Sequence, residues 1–421
     1  MEHLYQIYKQ LPHICTDTRN IIPKSLFFCL KGENFDGNNF ATQALEAGAE
    51  YVVTERQDLK DNPRCVVVDD SLKTLQQLAR HHRQQLQIPV IGITGTNGKT
   101  TTKELVAAVL SRKYKTCYTQ GNLNNHIGVP LTLLSITPEH EMAIVEMGAN
   151  HPGEIDDLCK LSMPNFGIIT NIGTAHIEGF LSKENIIITK KALYRAVMAC
   201  QGTLFVNNDD EILTRELNYQ PIVTYASQKA ADITGRIFKN DGLISIELFG
   251  QVVNTQLTGA YNLYNMLAAA TIGRYFKVSE DDICAAIANY QPANHRSQVE
   301  HKGSNIIIAD YYNANPTSMT AALENLIGIE HPHKMAVIGD MRELGSVSHE
   351  EHARIIKLCQ DNHIETYFVG SEFQKQLVGN PHSFDNVEET NNYFVANPVS
   401  DALILVKGSH SIHLDRLVLL K

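Results

Sequence analysis

The chain has no apolar run approaching the length of a membrane span, and its start, Met1-Glu-His-Leu-Tyr-Gln6, lacks a secretory-leader pattern. Positive charge is in short supply: 36 Lys and Arg stand against 46 Asp and Glu, a formal net charge of −10. A general nucleic-acid binder needs clustered Lys and Arg against phosphate, so the charge argues against that class, while a local basic pocket for a small phosphorylated ligand is not excluded. The eight cysteines are scattered and none forms a Cys-x-x-Cys, which argues against a disulfide frame or a zinc site and for a reducing compartment. The expected address is cytoplasmic, and nothing demands more than a monomer. There is no fixed-period repeat and no low-complexity segment. What remains is ordinary globular composition, 43% hydrophobic and 19% charged over 421 residues, enough for about two to four domains with real cores.

Three blocks emerge along the chain. The first, residues 1–84, mixes strand-like runs (Ser25 to Leu30, Tyr51 to Thr54, Cys65 to Val68) with helical stretches (Phe40 to Ala47, Leu72 to Leu86). The second, residues 85–292, alternates strand and helix through Ile88 to Ile93, Met142 to Met147, Phe166 to Asn171 and Thr203 to Asn207, the mark of βαβ units in a parallel sheet. Between Ile233 and Leu257 the apolar period becomes two, which predicts an antiparallel appendage, and helices are expected near Tyr261 to Phe276 and Glu280 to Asn289. After a linker at Gln291-Pro-Ala-Asn294, the third block, 293–421, restarts the alternation with strands at Asn305 to Ala309, Lys334 to Ile338, Thr366 to Val369 and Ala402 to Val406. The expected class is α/β in three domains: a small N-terminal α/β domain, a central P-loop parallel-sheet domain and a C-terminal Rossmann-like domain.

The stretch Gly92-Ile-Thr-Gly-Thr-Asn-Gly-Lys-Thr-Thr101 joins a buried-strand pattern to a helical one, Lys103 to Leu110. Strand, glycine-rich turn, Lys-Thr and helix make a phosphate cradle, because backbone N–H groups of the turn and helix start point at the anion. The strict pattern wants glycine where Ile93 stands, so this is a variant P-loop. Gly95, Thr96, Asn97, Gly98, Lys99, Thr100 and Thr101 are expected to hold a nucleoside triphosphate, with Lys99 on the β/γ-phosphates and the Thr100 hydroxyl on Mg²⁺.

Polar residues end the other strands. Glu146, on the strand one βα unit after the P-loop, is read as a Mg²⁺ ligand in preference to a solvated acid. His176 and Glu178 leave a glycine-punctuated loop at the carboxyl edge of the sheet, and that position favours a metal role for His176 over a structural one. Lys190 and Lys191 are either a solvated helix face or a contact to phosphate. Asn262 and Asn265, three apart on one helix face, are either an adenine-reading amide pair or a cap with a surface neighbour. Asp310 is placed to meet a ribose hydroxyl, and Arg296 to reach across to the phosphates.

Together these stretches resemble the Mur ligase family over essentially the whole chain. The family's general marks are the Gly-Thr-Asn-Gly-Lys-Thr loop, Glu146 before Met-Gly-Ala, and the Asn262/Asn265 pair. More discriminating are Gly121-Asn-Leu-Asn-Asn-His-Ile-Gly-Val-Pro130, Tyr312-Asn-Ala-Asn-Pro316 and Gly339-Asp-Met-Arg-Glu-Leu-Gly345, similar to members that add D-alanyl-D-alanine. The Asp-Asn-Pro-Arg motif of the members adding the third residue is absent. Thr16-Asp-Thr-Arg19 and Lys31-Gly-Glu-Asn-Phe-Asp-Gly37 resemble the segment that binds the uridine-nucleotide sugar.

The resemblance implies ATP-dependent amide bond formation between a UDP-N-acetylmuramoyl tripeptide and D-alanyl-D-alanine through an acyl phosphate. It implies two Mg²⁺ ions, one on Thr100 and Glu146, the other on His176 and a carbamylated lysine at Lys190. Lys99, Lys190 and His176 are the implied catalytic residues. Asn262 and Asn265 would serve adenine, Arg296 the phosphates and Asp310 the ribose. Thr18, Arg19, Asn124, Asn125, Asn313 and Asn315 would bind the other substrates. Departures from the family pattern are Leu181 where glycine is usual, Lys191-Ala192 for Gly-Glu, Tyr261 for histidine, and His410 for arginine or asparagine. Rival readings are a folate polyglutamylating relative, which prefers Gly-Lys-Gly-Ser at the loop, a P-loop phosphotransferase or motor ATPase, and a non-catalytic nucleotide-binding module.

Overall fold

The computed structural model describes residues 1–11, 13–32 and 34–421; Glu33, within the Lys31–Gly37 stretch, lies outside the described residues. After the helix Glu2–Gln10 come four parallel strands, ordered His13–Cys15, Ser25–Phe28, Tyr51–Thr54, Cys65–Val67. Helix Ser71–Gln85 follows, its first turn capped by the Asp70 carboxylate on the Lys73 N–H. It turns Leu75, Leu78 and Ala79 inward against Val129 and Leu133 of helix Gly128–Leu134, so one apolar core runs from the first sheet into the second. Burying each such leucine contributes about 2 kcal/mol, which fixes the N-terminal unit to the central one.

The central sheet has nine strands. Its parallel part runs Ile222–Ala226, Thr203–Asn207, Phe166–Ile169, Val90–Thr94, Met142–Glu146, Thr116–Tyr118. Val90–Thr94 is buried along its whole length, as a strand covered by helices on both faces must be, which is why its sequence is apolar from Val90 to Ile93. On the other flank Ile233–Asn240, Ile244–Leu248 and Gln251–Asn254 pair antiparallel. Burial alternates along Ile244–Leu248, whose inner face meets the helix Asn262–Tyr275. That is the appendage the period of two predicts.

The C-terminal sheet is ordered Gln298–Lys302, Asn305–Asp310, Leu403–Lys407, Lys334–Gly339, Glu365–Val369, Ser383–Phe384, with the first strand antiparallel and the others parallel. The alternation therefore begins one strand earlier than Asn305. Gln298-Val-Glu-His-Lys302 is a polar edge strand and carries no apolar period to betray it. Among the described residues no helix is long and apolar enough to cross a membrane, and the eight cysteines are free.

Candidate active site

The P-loop strand lies between Phe166–Ile169 and Met142–Glu146, in a register that sets Glu146 beside Ile93. Past Thr94 the chain needs two left-handed glycines. Gly95 has φ +150 and a Cβ there would stand 1.9 Å from Thr170 Oγ1; Gly98 has φ +77 and a Cβ 2.6 Å from Asn265 Oδ1. The loop is held from behind by Asn171, whose Nδ2 donates to the Asn97 carbonyl (3.0 Å) and whose Oδ1 accepts from the Asn97 N–H (3.1 Å). Thr170 Oγ1 donates to the same carbonyl at 2.6 Å. Helix Lys99–Leu110 then starts with its free N–H groups at the loop.

Lys99 is folded back, its ammonium donating to the carbonyls of Gly95 and Thr96, both at 2.9 Å. Burial pulls its pKa down to about 8; Glu146 opposes that fall and Arg296 adds to it. Glu146 is fully buried. Its Oε1 accepts from Thr100 Oγ1 (3.1 Å) and Asn124 Nδ2 (2.8 Å), while Oε2 has no hydrogen-bond partner. The buried Lys103 ammonium stands 3.9 Å from that oxygen. A buried carboxylate oxygen left without a donor is costly unless something else neutralises it. A hydroxyl beside such an oxygen is the hard donor set that Mg²⁺ takes, so these residues fit the ion.

A cavity of about 850 Å³ opens above this floor, and all three domains wall it. Gln76 and Arg80 come from the N-terminal unit. The loop 96–101, Asn124, Asn125, Glu146, His176, Asn262 and Asn265 come from the centre, and Arg296, Asp310, Asn313, Asn315 and Lys407 from the C-terminal side. The sheets are thus docked with their carboxyl edges facing one another, the position where open α/β sheets take ligands. The contacts that span the seam include Asn315 Nδ2 donating to Asn97 Oδ1 (2.8 Å), Asn325 Nδ2 to Thr258 Oγ1 (2.9 Å), and the Glu343 carboxylate against His176 Nδ1.

Asn262 and Asn265 are both buried in a chain of amides. Asn262 Nδ2 donates to the Thr258 carbonyl (2.7 Å), Asn265 Nδ2 to Asn262 Oδ1 (2.8 Å), and Thr102 Oγ1 to Asn265 Oδ1 (3.0 Å). Each amide keeps one N–H and one lone pair in reserve. Arg296 stacks on Tyr312, 3.8 Å from guanidinium carbon to ring centre, with its buried Nε unpartnered. Asp310 accepts from Lys407 Nζ (2.7 Å) and from the Ser297 N–H (3.2 Å), so it enters any ribose contact already paired with a buried cation. Asn315 caps helix Pro316–Gly328 as well as bridging to Asn97, and Asn125 Oδ1 accepts from the N–H groups of Ile127 and Gly128.

Lys190 is 3% exposed, its ammonium 5.7 Å from the centre of the Phe180 ring. Burial drives it well below the ordinary lysine range, Lys99 adding to the fall and Glu154 opposing it. A neutral amine is the form that can take up CO₂, so Lys190 fits a carbamate. It does not itself line the cavity. Lys191 is engaged elsewhere, donating to the Arg215 carbonyl at 3.2 Å, which separates two lysines that the sequence leaves side by side. Thr18 and Arg19 are not brought to the cavity; Arg19 is exposed and paired with Asp17 at 2.6 Å.

Several residues escaped the sequence reading. Asn171 ends a strand read from the sequence and Lys407 directly follows another, but their partners lie far away in the chain. Lys103, one helical turn after Lys99, carries the signal of helical spacing alone.

Models of one family match nearly the whole chain: "Mur ligase family, catalytic domain" over residues 11–92, "Mur ligase middle domain" over 93–273 and "Mur ligase, glutamate ligase domain" over 295–410. The UDP-N-acetylmuramoyl-tripeptide–D-alanyl-D-alanine ligase of Bacillus subtilis is 33% identical over 426 residues, covering 96% of this chain and 92% of its own. Among solved structures, MurF from Acinetobacter baumannii superposes with a TM-score of 0.84 at 32% identity, covering 97% of this chain and 93% of that one. MurF ligase from Thermotoga maritima in complex with ADP gives 0.83 at 26% identity, with 96% of each chain covered.

Proposed function

The chain belongs to the Mur ligase family, and from that premise we infer that it uses ATP to join D-alanyl-D-alanine to a UDP-N-acetylmuramoyl tripeptide in peptidoglycan precursor synthesis. The observation that carries the reading is the meeting of Lys99, Thr100 and buried Glu146 at the floor of a cavity walled by three domains. A motor needs one site, for its nucleotide, and a phosphotransferase two, for nucleotide and acceptor. A ligase that gathers a nucleotide and two further substrates needs three.

A carboxylate is a poor electrophile because its leaving group would be oxide. The tripeptide's terminal carboxylate oxygen attacks the γ-phosphorus, the bond to ADP breaks, and an acyl phosphate forms. The dipeptide's amine nitrogen then bonds to the acyl carbon and loses a proton. The tetrahedral intermediate collapses by breaking the carbon–oxygen bond to phosphate, leaving an amide. The amides of residues 95–101 surround the β/γ-phosphates, and Lys99 exchanges two carbonyl partners for phosphate oxygens, meeting charge where it spreads. Arg296 supplies a second cation, and its free Nε is a donor in waiting. The reserve N–H and lone pair on Asn262 and Asn265 suit the adenine edge, and Asp310 the ribose.

Mg²⁺, when bound, neutralises charge on the transferring phosphoryl group. Thr100 and Glu146 would hold one ion, His176 and a carbamylated Lys190 a second. Residues 1–84 form the uridine-nucleotide unit, with Thr18 and Arg19 as its contacts; 85–292 form the ATP unit, to which Asn124 and Asn125 add tripeptide contacts. Residues 293–421 receive the dipeptide near Asn313 and Asn315. The enzyme acts as a cytoplasmic monomer.

The test is ADP release with ATP, Mg²⁺, tripeptide nucleotide and D-alanyl-D-alanine, followed by isotope. Release requires both co-substrates, and ¹⁸O placed in the tripeptide carboxylate appears in inorganic phosphate. Release indifferent to the dipeptide, or unlabelled phosphate, would defeat the reading.

A further inference from the structure

The C-terminal domain reaches into the central one with a carboxylate. Glu343, in the loop that follows strand Lys334–Gly339, lays its carboxylate against Nδ1 of His176. Both residues are left-handed, with φ +61 and +51, a conformation that costs a non-glycine residue about 1 kcal/mol or more. Two strained residues from different domains therefore meet at one point. The approach is held by their neighbours: the Glu178 N–H points to the Glu343 carbonyl at 3.5 Å, and Gly345, φ +55, leaves only 3.4 Å between its would-be Cβ and Glu178 Cβ. His176 lines the cavity and Glu343 does not, so the imidazole stands between the ligand space and the carboxylate.

An imidazole that binds a metal through one nitrogen commonly gives its other N–H to a carboxylate, which fixes the tautomer and the ring orientation. Here that carboxylate belongs to a different domain from the imidazole. We propose that Glu343 is the positioning residue of His176, supplied by docking of the C-terminal domain, so that His176 becomes a competent metal ligand when the domains close. The inference rests on the reading of His176 as a metal ligand. It goes further in making the second ion site a product of closure, with the site on Thr100 and Glu146 independent of it. Both of those residues lie in the central unit and already touch, at 3.1 Å.

The experiment counts Mn²⁺ ions bound by the full-length, ADP-loaded protein, using the electron paramagnetic resonance signal of free Mn²⁺, with small-angle scattering as a record of closure. Wild type binds two ions. Glu343→Gln keeps the shape but removes the charge; it keeps the first ion, binds the second about 10-fold more weakly or worse, and retains the closed profile. Glu343→Asp recovers part of the loss. Equal affinity for both ions in Glu343→Gln and wild type overturns the proposal and leaves the metal reading standing. Loss of the second ion together with an open profile reduces Glu343 to a docking contact and also overturns it. A wild type with no second ion removes the reading of His176 itself.

Discussion

Asn315 Nδ2 donates to Asn97 Oδ1 at 2.8 Å, so the residue that caps the first helix of the C-terminal domain also holds the tip of the P-loop. Its Oδ1 meanwhile accepts from the Ser318 N–H at 2.9 Å. One side chain thus performs a local and a cross-domain task, and two substitutions separate them. Asn315→Ala loses both, at a cost of about 1 kcal/mol for the cap. Asn315→Ser restores the cap but is too short for the bridge. Chemical denaturation is expected to show a loss for alanine and little for serine, while the KM for ATP rises several-fold in both. A normal KM in the serine variant would make the bridge incidental.

Lys99 sits near a pKa of about 8 because burial penalises its charge, and bound triphosphate favours the charged form. Nucleotide binding at pH 8 is therefore expected to take up a fraction of a proton, falling towards zero by pH 6.5. Calorimetry in buffers of different ionisation enthalpy reads this directly, and Lys99→Met abolishes it. The sign for stability follows from the same depression. Between about 8 and the ordinary 10.5 the unfolded chain holds a proton that the folded one has released. The nucleotide-free protein thus gains stability as pH rises through that interval, a slope missing in Lys99→Met.

What the sequence made legible follows a physical division. The P-loop could be read because phosphate binding demands particular residue types at fixed local spacing, and Val90–Thr94 because a doubly covered strand is apolar over most of its length. Strands Thr116–Tyr118 and Gln298–Lys302 went unread, one for its length of three residues and the other for its polarity. The roles of Asn171, Lys407 and Glu343 depend on partners far off in the chain, as Asp310 and Lys407 show by pairing across register-matched strands. Local pattern carries no record of such meetings. Thr18 and Arg19 show the reverse, a motif recognised in sequence that stands apart from the cavity.

Two adjacent lysines are expected to differ completely. Lys190 is buried beside the Phe180 ring with its charge disfavoured, whereas the Lys191 ammonium is turned away to the Arg215 carbonyl. In ¹³C-bicarbonate, wild type and Lys191→Ala should show a carbamate resonance by NMR, and Lys190→Ala should not. Activity should collapse in Lys190→Ala without rescue by bicarbonate, and stay within about two-fold of wild type in Lys191→Ala. Turnover near normal in Lys190→Ala would end the carbamate reading.

Leu181 stands where the family usually has glycine, and the backbone shows why glycine suits the position. It closes the helix Ile177–Phe180 with φ +66, its side chain is 78% exposed, and its N–H donates to the Ile177 carbonyl at 2.7 Å. A left-handed leucine costs about 1–2 kcal/mol, while glycine adds about 0.5–1 kcal/mol of chain entropy to the unfolded state. Little burial is forfeited, so Leu181→Gly should be neutral to stabilising by up to about 1 kcal/mol, with kcat unchanged. Leu181→Ala supplies the control, because alanine keeps the Cβ that causes the strain and should match wild type. Gly95→Ala tests the opposite case: at φ +150 the added Cβ would meet Thr170 Oγ1 at 1.9 Å, in the loop meant for phosphate. That variant should lose ADP binding in a calorimetric titration while Leu181→Gly keeps it. A lower denaturation midpoint for the glycine variant than for the alanine variant at 181 would show that the left-handed turn carries too little strain to outweigh glycine's chain entropy.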